Sequence, residues 1–178
     1  MAKEAYPFCA LDTFSSCIYP ANRLYFDNIF IVSPLFSNTA GYEHYDAPLY
    51  SDTKKWIDNE WIDYIVPQSY WGFTHPVAGF ADVVDWWDKI VANKKVNLYC
   101  GMGIYMSARE TTYSWYHNVD EAADEVLYCN KLDNVKGTCI FSFRSLINCI
   151  DDEQKVQHNA TVKLREKYWN KKTNTPKT

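Results

Sequence analysis

Tyr64-Ile65-Val66-Pro67-Gln68, Phe80-Ala81-Asp82-Val83-Val84-Asp85-Trp86-Trp87-Asp88-Lys89-Ile90-Val91 and Val96-Asn97-Leu98-Tyr99-Cys100-Gly101 read, in that order, as strand, helix, strand. The middle stretch is the clearest. Phe80, Val83, Val84, Trp87, Ile90 and Val91 fall on one face at helical spacing, with Asp82, Asp85, Asp88 and Lys89 off it. The three aspartates therefore read as an exposed outer face. The flanking runs are short, apolar and closed by Pro67 and Gly101, as buried strands are. A strand, a helix and a second strand at this spacing imply a parallel pair joined by a helical crossover.

The same unit recurs on either side. Ile29 to Val32 is a strand candidate ending at Ser33-Pro34, and Leu49, Thr53, Trp56 and Ile57 then repeat at helical spacing. After Gly101 a long loop is expected through Trp115 and His117. Asn118 and Glu121 have capping-box spacing before an apolar face of Val119, Ala122, Ala123, Val126 and Leu127. Cys139 to Phe143, introduced by Gly137, reads as a fourth strand ending at Arg144. A last helix, roughly Asp152 to Trp169, places Val156, Ala160, Leu164 and Tyr168 four apart. Residues 1–28 fit neither period and stay unassigned, and residues 170–178 read as a polar tail. Four β-α units suit either a small open doubly wound sheet or half of a (β/α)8 barrel, whose full form takes roughly 250 residues.

Composition narrows the function classes. The chain has 178 residues, 47% hydrophobic and 22% charged, which is globular composition. Its formal net charge is -4 and no Lys/Arg block stands out apart from Lys171-Lys172 near the end, so capture of nucleic acid or an anionic membrane is not expected. No apolar run is long enough to span a membrane, and the first ten residues carry no secretion signal. Localisation stays open. Six cysteines at 9, 17, 100, 129, 139 and 149 form no C-x-x-C pair. Cys100 and Cys139, inside apolar runs, read as small buried hydrophobes. The four histidines are scattered, so no zinc site is expected. Gly101-Met102-Gly103 lacks the third glycine of a dinucleotide fingerprint, Met106 standing in its place, and no Gly-x-Ser-x-Gly elbow occurs. No cofactor is expected. Aromatic content is high, at 17%. Such side chains pack cores and also offer flat faces to sugar rings.

A series of small motifs carries a resemblance. It runs through Tyr45-Asp46-Ala47-Pro48-Leu49-Tyr50-Ser51-Asp52, Lys55-Trp56-Ile57, Trp61 to Trp71 and His75-Pro76-Val77-Ala78. It continues through Val84-Asp85-Trp86-Trp87, Asn97 to Gly101, Val135-Lys136-Gly137 and Phe141-Ser142-Phe143-Arg144-Ser145-Leu146. In order and spacing the series resembles the C-terminal half of the catalytic barrel of glycosyl-hydrolase-like family ten, over about residues 29–169. The resemblance implies an α/β fold made of strands five to eight of a (β/α)8 TIM-type barrel. It also implies action on a polysaccharide or cell-wall glycan, usually outside the cytoplasm. Two departures stand out. The segment Ser33 to Gly41 is shortened, and nothing before residue 29 resembles strands one to four or their acidic strand-end motif. A half-barrel, weakly active or inactive alone, is therefore expected. Its alternative is a non-catalytic carbohydrate-binding form that pairs with itself or with a missing N-terminal half. An open flavodoxin-like sheet is a weaker third reading.

Function in a barrel gathers where strands end. Ser33 and Pro34, then Gln68, Tyr70 and Trp71, then Gly101 to Tyr105, then Ser142 to Arg144 occupy those positions. The Gln68 amide could take a sugar hydroxyl as donor and acceptor. Tyr70 and Trp71 could form a stacking platform or pack beneath the loop. His75, beside Pro76, could bond substrate or shape its loop. Arg144 could grip a carboxylate on a sugar or make a structural ion pair. These five are the expected substrate-binding residues. The catalytic pair is not assignable. Glu43, Asp46 and Glu110 are the acids near the expected face, and loop acids are mostly solvated. Asn159-Ala160-Thr161 matches a glycosylation triplet that is common by chance.

Overall fold

A computed structural model describes residues 50–147 and 152–171. The strand candidate at 29–32 and residues Ser33, Pro34, Glu43, Asp46, Cys9, Cys17 and Cys149 lie outside them. In chain order the elements are α1 Thr53–Asp58, β1 Tyr64–Ile65, α2 Phe80–Val91 and β2 Asn97–Gly103. Then come α3 Met106–Arg109, α4 Ser114–His117, α5 Glu121–Cys129, β3 Val135–Phe141, α6 Phe143–Ile147 and α7 Asp152–Tyr168. The strands form a parallel sheet in the order β1-β2-β3. This is the α/β class that alternating strands and helices imply. Among the described residues no helix is long and apolar enough to cross a membrane.

Strand alternation sorts the two faces of β2. Leu98, Cys100 and Met102, with Ile104 just beyond, are all 1% exposed or less and point to one side. Against them lie Phe80, Val83, Val84, Trp87 and Val91 of α2, and Ala122, Ala123, Val126 and Cys129 of α5. Fully burying a large apolar side chain of this kind stabilises by about 1.5–3 kcal/mol, so this face holds the fold together. The apolar face of α2 is thus the one its spacing predicts. That of α5 is narrower than expected, because Val119 and Leu127 stay partly exposed. Cys100, Cys129 and Cys139 are buried. Cys129 lies in hydrogen-bond contact with Cys100, which together with burial pushes its thiol well above the ordinary range.

The other face carries Tyr99, Gly101 and Gly103, and here the sequence expectation needs correcting. Gly101 does not stop the strand, which continues to Gly103. A Cβ at residue 101 would lie 2.5 Å from the Pro67 carbonyl oxygen. Without it the two backbones meet again beyond β1. Gly101 N–H donates to Pro67 O (2.9 Å), and Ser69 N–H donates to Gly101 O (2.8 Å). At Gly103 a Cβ would lie 2.8 Å from the Tyr70 ring, which covers that backbone. Gly137 is likewise inside β3, opposite Tyr99.

Two further corrections concern polar groups. Asp85 and Asp88 are not merely solvated. Tyr128 Oη–H donates to Asp85 (2.6 Å), and Asn134 donates to Asp88 through its backbone N–H (2.9 Å) and its amide. These bonds dock α2 against α5 and the turn before β3. The Asn118–Glu121 pair does not form a reciprocal box either. Glu121 accepts from the Asn118 side chain (3.0 Å) and reaches across to another loop, described below. The last helix holds as expected, with Ala160 and Leu164 buried. Lys167 bridges Asp120 (3.0 Å) and Asp124 (3.7 Å) across to α5, but exposed pairs of this kind contribute little. The glycosylation triplet lies inside this helix.

Glu125 is fully buried beneath α5, and neither carboxyl oxygen has a hydrogen-bond partner among the described residues. Burial, then the neighbouring charges of Glu121, Cys100 and Asp124, push its carboxyl well above the ordinary range. The unfolded chain ionises near pH 4.3, while the folded chain holds this proton. The stability that the protonated form supports is complete below that pH and is lost as pH rises toward the folded value. Glu125→Gln, neutral at every pH, should therefore raise Tm by a few degrees at pH 8. The gain should vanish toward pH 4 in calorimetric scans. Gly101→Ala should cost about 1–3 kcal/mol and lower Tm by about 3–10 °C in the same scans, because the contact it forces is with backbone.

Candidate functional site

All three strands run the same way, so their C-terminal ends share one edge of the sheet, where α/β folds place ligands. An aromatic cluster occupies that edge. Tyr70, just past the Gln68–Gly101 bridge, stands edge-on to Tyr105 at 5.9 Å between ring centres, and stacks with Phe141 at 6.1 Å and 26°. Tyr105 and Phe141 complete the triangle at 6.1 Å. Phe141 remains 45% exposed, so the cluster presents a ring to solvent. The Arg109 guanidinium sits 5.2 Å over the Tyr105 ring. Burial pushes the Tyr70 phenol up strongly and also raises that of Tyr105, where Arg109 opposes the shift. Both phenols are therefore neutral O–H groups at neutral pH.

Of the sequence-predicted binding residues, Gln68 and Tyr70 emerge at this edge. Gln68 is half-buried, and its side-chain amide has no hydrogen-bond partner among the described residues. It is not consumed by loop backbone. Trp71 and His75 lie in the following loop, their rings 5.9 Å apart. His75 Nδ1 accepts from the Ala78 N–H (3.1 Å), and its ring stands edge-on to Tyr113 at 5.0 Å. Burial holds its imidazole below the ordinary value, against the opposing effect of Glu110. With Nδ1 occupied as an acceptor, the neutral ring carries its proton on Nε2. Arg144 does not end the strand as the sequence implied. β3 stops at Phe141, and Arg144 is exposed on α6 with no ion-pair partner among the described residues. It still follows the same end of the sheet as Gln68.

Glu110 is engaged by its own loop, where its carboxylate accepts from the backbone N–H groups of Thr112 (2.7 Å) and Tyr113 (2.8 Å). The larger surprise is Glu121, only 2% exposed. Its carboxylate accepts from the Phe73 N–H (2.7 Å), the Ser114 hydroxyl and the Asn118 amide (3.0 Å), joining the loops after β1 and β2. Gly72 makes room for this, since a Cβ there would lie 2.7 Å from Glu121 Oε1. Beside the junction is an open cleft of about 440 Å³ lined by Thr74, Thr112, Tyr113, His117 and Glu121 among others. Tyr105, Arg109 and Glu121 were not singled out as site residues from sequence. The Asn118–Glu121 spacing located one end of the latch, but nothing local marks Phe73 as its partner. No group of three or more metal-ligating side chains comes together among the described residues.

Comparison with known proteins gives the family. The chain belongs to the glycosyl hydrolase-like 10 family, whose model matches residues 27–116. It is similar to the glycosyl hydrolase YngK of Bacillus subtilis (strain 168), 37% identical over 114 residues, which is 64% of this chain and 22% of YngK. It is also similar to the glycosyl hydrolase DigH of Escherichia coli (strain K12), 30% identical over 112 residues, 61% of this chain and 25% of DigH. The matched stretch thus spans a quarter or less of these relatives.

Replacing Glu121 by Ala leaves a buried N–H, a hydroxyl and an amide without their common acceptor. The expected cost is about 2–3 kcal/mol in urea denaturation. Amide exchange should speed up at Phe73 and around Ser114 together.

Proposed function

We propose that this chain forms part of a glycoside hydrolase acting on a polysaccharide or cell-wall glycan. Its strand-helix units, over residues 29–169, contribute the second half of a (β/α)8 ring, and the strand-end edge lies at the ring's mouth. The observation that carries the reading is the aromatic cluster of Tyr70, Tyr105 and Phe141 at the common end of three parallel strands. Sugar rings stack on such faces. Gln68 beside it offers an uncommitted amide for a hydroxyl pair. Trp71 and His75 wall the loop above, and Arg144 follows on α6, past the end of the third strand.

Glycoside hydrolysis normally takes two carboxylates across the scissile bond. The three described acids of the strand-end connections, Glu110, Asp120 and Glu121, are all held by protein donors. The ring therefore draws its catalytic pair from elsewhere, and this chain alone binds glycan with little turnover. The same two observations support a second reading, a carbohydrate-binding unit that pairs with a copy of itself or with the remainder of a longer protein. Tyr64 and Phe141, each about half exposed on or beside the sheet, would be covered in that pairing, as both faces of a parallel sheet normally are.

The test is calorimetric titration of the chain with peptide-free peptidoglycan glycan strands, alongside an assay for released reducing ends. Measurable binding is expected, with release at background. Gln68→Ala should weaken binding about three- to tenfold, the worth of one or two hydrogen bonds. Absence of binding, or binding indifferent to Gln68→Ala, would overturn the assignment of this edge.

A further inference from the structure

We propose that Arg109 reads a carboxylate on the bound glycan and so gives this edge a preference for acidic over neutral sugars. The inference rests on the glycan-binding reading above and adds the chemistry of the sugar.

The geometry begins with the turn after β2. Ser107 N–H and its hydroxyl both donate to Ile104 O (3.2 and 2.7 Å), and Glu110 N–H donates to Met106 O (2.8 Å). This closes α3 into one tight turn and brings residue 109 back over residue 105, four positions earlier, where side chains on a helical turn meet. The guanidinium consequently lies on the Tyr105 ring, one member of the aromatic cluster. A guanidinium held over a ring keeps N–H donors in a planar fork, the arrangement that grips a carboxylate with two parallel bonds.

Among the described residues the charge is not spent elsewhere. Arg109 is exposed and makes no ion pair with any described residue. The pairs that do form use Lys54, Lys94, Lys163 and Lys167. Its sequence neighbour Glu110 is occupied by Thr112 and Tyr113. The two adjacent phenols add no negative charge. An uncompensated cation, fixed on a ring at the end of a parallel sheet, would add nothing to recognition of a neutral sugar. It suits one that carries an acid.

The experiment compares a muramic-acid-containing tetrasaccharide with the same compound after its carboxyls are reduced to alcohols. Both are titrated into the 178-residue chain, wild type, Arg109→Met and Arg109→Lys. Methionine keeps an apolar side chain against Tyr105. Lysine keeps the charge without the planar fork. Wild type should bind the acidic sugar about fivefold more tightly, as a partly exposed charge pair allows, and less selectively in high salt. Arg109→Met should lose the preference while binding the reduced sugar as wild type does, and Arg109→Lys should fall between. Equal binding of both sugars by wild type, or a preference that survives Arg109→Met, overturns the inference and leaves the glycan reading standing. Failure of wild type to bind either sugar overturns both.

Discussion

One backbone contact governs the geometry of the strand-end edge. The chain after β1 pairs only two residues with β2, leaves at Val66 and Pro67, and rejoins β2 at Gly101. That return requires residue 101 to have no side chain, since the Pro67 carbonyl stands where one would be. From it follow the direction of Gln68, the placement of Tyr70 over Gly103, and the meeting of Tyr70 with Tyr105 and Phe141. The helices on the opposite face supply most of the apolar burial. The glycines on this face decide where the polar and aromatic groups end up.

The sequence made the helical layer legible because helix periodicity is a local property. The apolar face of Phe80 to Val91 reads correctly, with Phe80, Val83, Val84, Trp87 and Val91 all buried. Strand ends were less legible. Gly101 and Gly137 resemble breaks when only their neighbours are considered, yet both lie inside strands, and Gly101 is a close approach to Pro67. Arg144 was misplaced for a related reason. An apolar run extended the expected strand to Phe143, whereas pairing with β2 ends at Phe141.

The site divides in the same way. Gln68 and Tyr70 were found because they directly follow a strand, a position that sequence order reveals. Trp71 and His75 lie in the loop that follows, where His75 accepts from the Ala78 N–H. Arg109 and Glu121 were missed because their roles depend on tertiary partners: a ring four residues back for one, and a backbone N–H 48 positions away for the other. Family membership likewise says nothing of which side chains have spare donors. That comes from counting hydrogen bonds.

Glu121 has a mechanical consequence. Three strands of contact, from Phe73, Ser114 and Asn118, end on a single carboxylate. The segments they belong to cannot drift separately without stranding a charged group in a dry interior. The two walls of the adjoining cleft are thus yoked at one carboxylate.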